Sequence, residues 1–142
     1  MKIRPIIFEQ DDLSNLLQVS EADGYVQIRW LVTDWESGKN RFDKEGECFY
    51  VAIDDQDQVV AVCGLSDNGD KRGRLRRLYV QPDYRKQGIG KQISQACIDH
   101  GLQTFENIVV NAGGEMAVRF YENWGWHRIG GERVTHALFK ID

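Results

Sequence analysis

The chain has 142 residues and a formal net charge of -4. Its length suits one domain, residues 1–142, with a core that needs no disulfide or metal staple, and its acidic balance argues against a general nucleic-acid binder. Hydrophobic residues at 42% beside charged residues at 28% fit a globular protein and exclude a disordered one.

Residues 3–8 are predicted to form a first strand, with Pro5 tolerable near a strand start or an edge. Asp11 or Asp12 is placed to cap the following helix, where Leu13, Leu16 and Leu17 fall at i, i+3 and i+4. A second helix is predicted over 24–37. Tyr25, Ile28, Leu31, Val32 and Trp35 make its core stripe, while Val26 and Trp30 lie on roughly the opposite side. Trp30 is therefore a candidate for an acceptor wall or for contact with a second copy of the chain. Short apolar runs at 48–53 and 59–65, joined by a polar turn, read as a hairpin. A strand follows at 74–80 and stops at Pro82. Beyond it come an amphipathic helix at 88–105, a strand at 108–111, a helix at 115–123 and a final strand pair at 126–129 and 135–141. The order predicts an α/β fold, a mixed sheet with helices on both faces.

Cys48, Cys63 and Cys97 are odd in number and lack C-x-x-C spacing, so they read as small buried hydrophobes. The three histidines, His100, His127 and His136, share no ligand spacing, so no metal is expected. The N-terminus is too short and too interrupted for a signal sequence, and no apolar run of about 18 residues occurs. No membrane partner is read, and a cytoplasmic location is the expectation.

Tyr84-Arg-Lys-Gln-Gly-Ile-Gly-Lys-Gln-Ile93 places three cations and two glycines where a strand gives way to a helix. A helix start presents unpaired N–H groups and partial positive charge. Gly88 and Gly90 allow close backbone approach, and Arg85, Lys86 and Lys91 add charge suited to phosphate. A Walker A loop is excluded, because Arg85 stands where its first glycine belongs and Gln92 where it needs Ser or Thr. A dinucleotide fingerprint fails at Ile93 and at the intervening residues 81–87.

Arg85-Lys-Gln-Gly88-Ile-Gly90 resembles the acyl-CoA-binding signature Gln/Arg-x-x-Gly-x-Gly/Ala of the GNAT superfamily of N-acyltransferases. Ala117-Val-Arg-Phe-Tyr121-Glu-Asn-Trp-Gly125-Trp126 is similar to that family's second hallmark, Ala-x-x-x-Tyr followed by Gly-Phe, with Trp in place of Phe. The likeness spans at least residues 48–126. It implies a mostly antiparallel central sheet with one splayed parallel strand pair, and acetyl-CoA as co-substrate. Backbone groups of Leu78, Tyr79 and Val80 would hold the pantetheine arm. Amides of Gln87, Gly88, Ile89, Gly90 and Lys91, with Arg85 and Lys86 alongside, would hold the pyrophosphate. Asn111 either bonds pantetheine or simply turns the chain. The resemblance further implies acetyl transfer to a primary amine of a small molecule or peptide, with Tyr121 donating the proton to the departing thiolate.

One departure matters. Many relatives carry a glutamate as general base where this strand has Arg76, so deprotonation must come from elsewhere, with Glu47 and Asp34 as weak candidates. Arg76 leaves open a second function, a non-catalytic acyl-CoA-binding regulatory domain. On an ideal strand Arg74 and Arg76 point to one side and Arg77 to the other. They make either a solvated strand face or a receptor for a negatively charged acceptor.

Overall fold

A computed structural model describes residues 1–131 and 133–139. The elements run β1 (Lys2–Pro5), α1 (Ser14–Ala22), α2 (Gln27–Ser37), β2 (Cys48–Ile53), β3 (Val59–Asp67), β4 (Arg72–Val80), α3 (Ile89–Gly101), β5 (Asn107–Val110), α4 (Glu115–Trp124), β6 (His127–Arg128) and β7 (His136–Phe139). A single 3₁₀ turn, Pro82–Tyr84, links β4 to the glycine loop. The expected end of the last strand, at 140 and 141, lies outside the described residues.

The sheet order is β1-β2-β3-β4-β5-β7-β6, and every neighbouring pair is antiparallel except β4–β5. Alternation along β2 shows how the strands serve two cores. Phe49, Val51 and Ile53 pack with Leu16, Ile28 and Leu31 of the first two helices. Cys48 and Ala52 face the other way, toward Ile93, Cys97 and Ile98 of α3 and Tyr121 of α4. A strand covered on both faces has no solvent side, so β3 reads as a nearly continuous apolar run. The three cysteines are free and buried.

Most element ends differ from the sequence reading by a few residues, and three departures have a clear local reason. β1 stops at Pro5 because Asp11 captures the next segment: its Oδ2 accepts from the Ile7 N–H at 2.7 Å while both its oxygens bind Arg4, at 2.8 and 2.7 Å. Asp12 is left for the helix start, where Oδ1 accepts from the N–H of Ser14. The second helix begins at Gln27, since Gly24 turns left-handed at φ 79° and Tyr25 N–H returns to Ser20 O.

The third difference shapes the site. Arg76 pairs with Gly64 and Tyr79 with Val62, so β4 holds one more residue than β3 between those rungs. Arg77 takes up the excess at φ 60°, a β-bulge built on a non-glycine residue. The bulge overturns the ideal-strand alternation: Arg77 does not point away from Arg76 but joins it on the α2 side. There its guanidinium lies 5.8 Å over the Trp30 ring and 4.0 Å from Asp34.

Candidate active site

Parallel pairing between β4 and β5 runs from Arg72–Asn107 to Leu75–Val110 and ends there, although β4 continues to Val80. The strands splay beyond that rung and open a cleft of about 910 Å³ through the sheet. Leu78, Tyr79, Val80, Asn111, Tyr121 and most of the glycine loop line it, whereas Gln87, expected among the pyrophosphate ligands, does not. Residues from three distant stretches of chain therefore meet at one opening.

The glycine loop enters α3 with Gly88 as N-cap in the left-handed region, φ 83°, and no side chain caps the helix. Gln92 N–H makes the first helical bond, to Gly88 O at 3.0 Å, so the amides of Ile89, Gly90 and Lys91 precede any intrahelical partner. The Ile89 side chain is buried in the core, leaving only its backbone to face a ligand. A Cβ at Gly90 would lie 3.6 Å from Val80 and 3.9 Å from Phe120, ordinary contacts. Gly90 also has no positive φ. Neither packing nor conformation demands a glycine there, which fits a backbone kept bare for an anionic group.

The cations of the loop are differently employed. Lys86 and Gln87 are exposed, with the Gln87 amide donating to Asp83 O. Lys91 Nζ sits 5.4 Å from the Trp124 ring. Arg85 is engaged internally: Nε donates to Val80 O at 2.9 Å, the guanidinium contacts Asp23 at 2.5 Å, and it lies over the Tyr79 ring. Asp23 also accepts from the Tyr79 hydroxyl at 3.0 Å. Those bonds, Arg85 first, hold the Asp23 carboxyl below its usual range. Burial, then the Asp23 bond, pushes Tyr79 up to about 12. The Leu78 carbonyl, expected to face pantetheine, lies 3.1 Å from the Tyr25 hydroxyl. That hydroxyl is also 2.7 Å from Gln27 Oε1; with one proton it satisfies both neighbours if the Gln27 amide is flipped to donate.

Tyr121 is held by aromatic edges, with the Phe120 and Trp126 rings both 5.0 Å away. It is 5% exposed. Burial raises its phenol well above the ordinary tyrosine range. Among the described residues its hydroxyl has no hydrogen-bond partner, so it enters the cleft with donor and acceptor capacity unused.

Arg74, Arg76 and Arg77 line the same cleft. Arg76 and Arg77 also border a second recess of about 590 Å³ with Trp30, Asp34 and Glu47. Trp30 is 52% exposed, so the sheet does not cover it. Neither base candidate reaches the main cleft. Glu47 binds the backbone N–H groups of Lys44 and Asp67, and Asp34 faces Arg77. Asp23, Tyr25 and Gln27 line the main cleft without having been singled out as site residues; an Asp-Gly helix end gives no local sign of a partner 62 residues away. Among the described residues no group of three or more His, Cys, Asp or Glu could hold a metal, and no helix is long and apolar enough to cross a membrane.

An open sheet split at a parallel pair, with helices on both faces and a bare helix start at the opening, is the architecture of the acetyltransferase (GNAT) fold. Residues 24–139 match the family model of the acetyltransferase (GNAT) domain, and the chain belongs to that family. Among solved structures, a protein assigned as an acetyltransferase from Exiguobacterium sp. 255-15 is similar over 97% of this chain and 92% of that one, with 26% identity and a TM-score of 0.85. A GNAT-family acetyltransferase from Staphylococcus aureus Mu50 shares the fold at 19% identity and TM-score 0.74, covering 96% and 95% of the two chains. A Bacillus anthracis str. Ames protein assigned as a streptothricin acetyltransferase was solved with acetyl coenzyme A; it shows 19% identity and TM-score 0.61 over 70% of this chain and 66% of that one. A curated relative, N-acetylaspartate synthetase of Danio rerio, is 31% identical over 88 residues, 60% of this chain. The chain spans about a third of that relative's length, 31%.

Proposed function

We propose that the protein moves an acetyl group from acetyl-CoA to the primary amine of a small molecule or peptide that carries negative charge, with Tyr121 as general acid. The observation that carries this reading is the uncommitted Tyr121 hydroxyl in the cleft that the glycine loop and the arginines also line. The amides at Gly88, Ile89, Gly90 and Lys91, with Lys86 and Lys91 nearby and Arg85 able to exchange Asp23 for phosphate, would hold the pyrophosphate. The edge of β4 from Leu78 to Val80, which β5 leaves open and whose Leu78 and Val80 carbonyls take the Tyr25 and Arg85 side chains, would hold the pantetheine arm with Asn111 opposite.

Attack of the neutral amine on the thioester carbonyl forms the C–N bond, and cleavage of the C–S bond leaves a thiolate that takes the Tyr121 proton. Burial that disfavours the phenolate keeps Tyr121 protonated in the resting site; it also makes the phenol a weak acid, so the proton given to the thiolate is replaced through water as the amine's proton leaves. The amine loses its own proton to water. Three arginines near the opening favour that loss, since like charge lowers the affinity of an ammonium group for its proton. Support for an acidic acceptor also comes from the zebrafish relative, whose name describes acetylation of aspartate.

The test is release of CoA thiol across a panel of amines. Tyr121→Phe should lower kcat by about 10²- to 10⁴-fold with little change in KM for acetyl-CoA. Undiminished kcat would remove Tyr121 from the chemistry. Tight CoA binding without acceptor-dependent thiol release would make the protein a sensor rather than an enzyme.

A further inference from the structure

Three guanidinium groups, those of Arg74, Arg76 and Arg77, come from one stretch of β4 and line the main cleft together. Arg133, in the loop between β6 and β7, adds like charge that Arg74 feels. Arg74 is shifted below the usual arginine range, by burial first and then by the like charges of Arg76, Arg77 and Arg133. Its Nε is buried with no hydrogen-bond partner. Among the described residues the sole carboxylate within 4.0 Å of Arg74, Arg76 or Arg77 is Asp34, at the edge of that distance from Arg77. The Arg77 side chain is only 10% exposed. A protein of net charge -4 thus gathers cations at one point, and among the described residues only Asp34 approaches them. Partly buried charge without a partner is costly, and a fold retains it where a ligand supplies the missing charge.

We propose that this cluster is a two-carboxylate receptor and that the acceptor is a small dicarboxylic α-amino acid. Arg76, which borders both the main cleft and the Trp30 recess, and Arg77, stacked on Trp30, clamp one carboxylate. Arg74, which lines the main cleft but not the Trp30 recess and has an unpaired Nε, takes the other. The fork geometry of guanidinium suits bidentate contact with each. Such a ligand offsets two of the positive charges, which one carboxylate leaves half uncompensated. On this assignment Arg76 is a specificity residue that binds the acceptor, at the position where many relatives keep a base. The proposal rests on the acetyl-transfer reading only for what happens after binding.

Calorimetry with free L-aspartate and L-glutamate, against L-asparagine, L-glutamine and the polyamine spermidine, tests the receptor without any turnover. One or both dicarboxylates should bind at least about 10-fold tighter than the amides. Arg74→Gln and Arg76→Gln should each weaken that binding about 10- to 100-fold. Unchanged acetyl-CoA affinity in both variants serves as the check on folding. Equal binding of dicarboxylates and amides, or insensitivity to both substitutions, overturns the proposal. Thiol release decides the other question separately. Dicarboxylate binding with no turnover of any amine leaves the receptor standing and removes the acetyltransferase reading. Turnover of spermidine with no dicarboxylate binding does the reverse.

Discussion

Gly88 and Gly90 look equivalent in the sequence and differ in the fold. Gly88 needs its left-handed φ of 83°, where any Cβ is strained. Gly90 sits in the first turn of α3 with ordinary room for a methyl group. Gly88→Ala should therefore lower stability by about 1 kcal/mol. Gly90→Ala should raise it by roughly 0.5–1 kcal/mol, since alanine favours the helix, while weakening acetyl-CoA binding at least about 10-fold. Thermal denaturation alongside calorimetry separates the two effects, and a Gly90→Ala protein that binds acetyl-CoA normally would refute the cradle. At this scale the loop was legible because charge, glycine and helix start lie within ten residues. The internal engagement of Arg85 was not, because Asp23 is remote in sequence and close only after the sheet forms.

At the scale of elements, order and type followed from apolar periodicity, and the errors fell where tertiary pairing overrides it. The β4 bulge is the clearest instance: an arginine at positive φ carries no sequence mark, whereas an Asn or Gly there would have announced the irregularity. One extra residue moved Arg77 to the α2 side and changed a divided arginine run into a cluster. A second element-level feature is the tie between the α1–α2 connection and the glycine loop, made by Asp23, Arg85 and Tyr79. Asp23→Asn removes a negative charge near the cradle and frees Arg85 for phosphate, and both changes favour an anion. Acetyl-CoA should bind the variant several-fold tighter, up to about 10-fold, with a steeper loss of affinity as salt rises. Weaker binding would show instead that the Asp23 tie positions the loop for its ligand.

Across the whole molecule, the response to acid is set by carboxylates whose folded environment favours the ionised form. Arg4 lowers Asp11, His136 and then Arg128 lower Glu122, and the Gln58 N–H lowers Asp54. A carboxyl whose folded pKa is depressed binds protons more readily when unfolded. Its contribution is complete above the unfolded value, about 4, and disappears as pH falls through the folded one. Stability should hold level from about pH 8 to 5 and decline below about 4. Asp11 should dominate the decline: its side chain is 6% exposed, it takes both Arg4 bonds and the Ile7 N–H, and it fixes β1 to the approach of α1. Asp11→Asn keeps the shape but removes the charge, so it should cost about 1–3 kcal/mol at pH 7 and cost progressively less as pH drops. The two stability curves should converge in acid, measured by urea denaturation at a series of pH values. Parallel curves separated by a constant offset would mean that Asp11 acts through packing and that the acid limb belongs to Glu122 and Asp54.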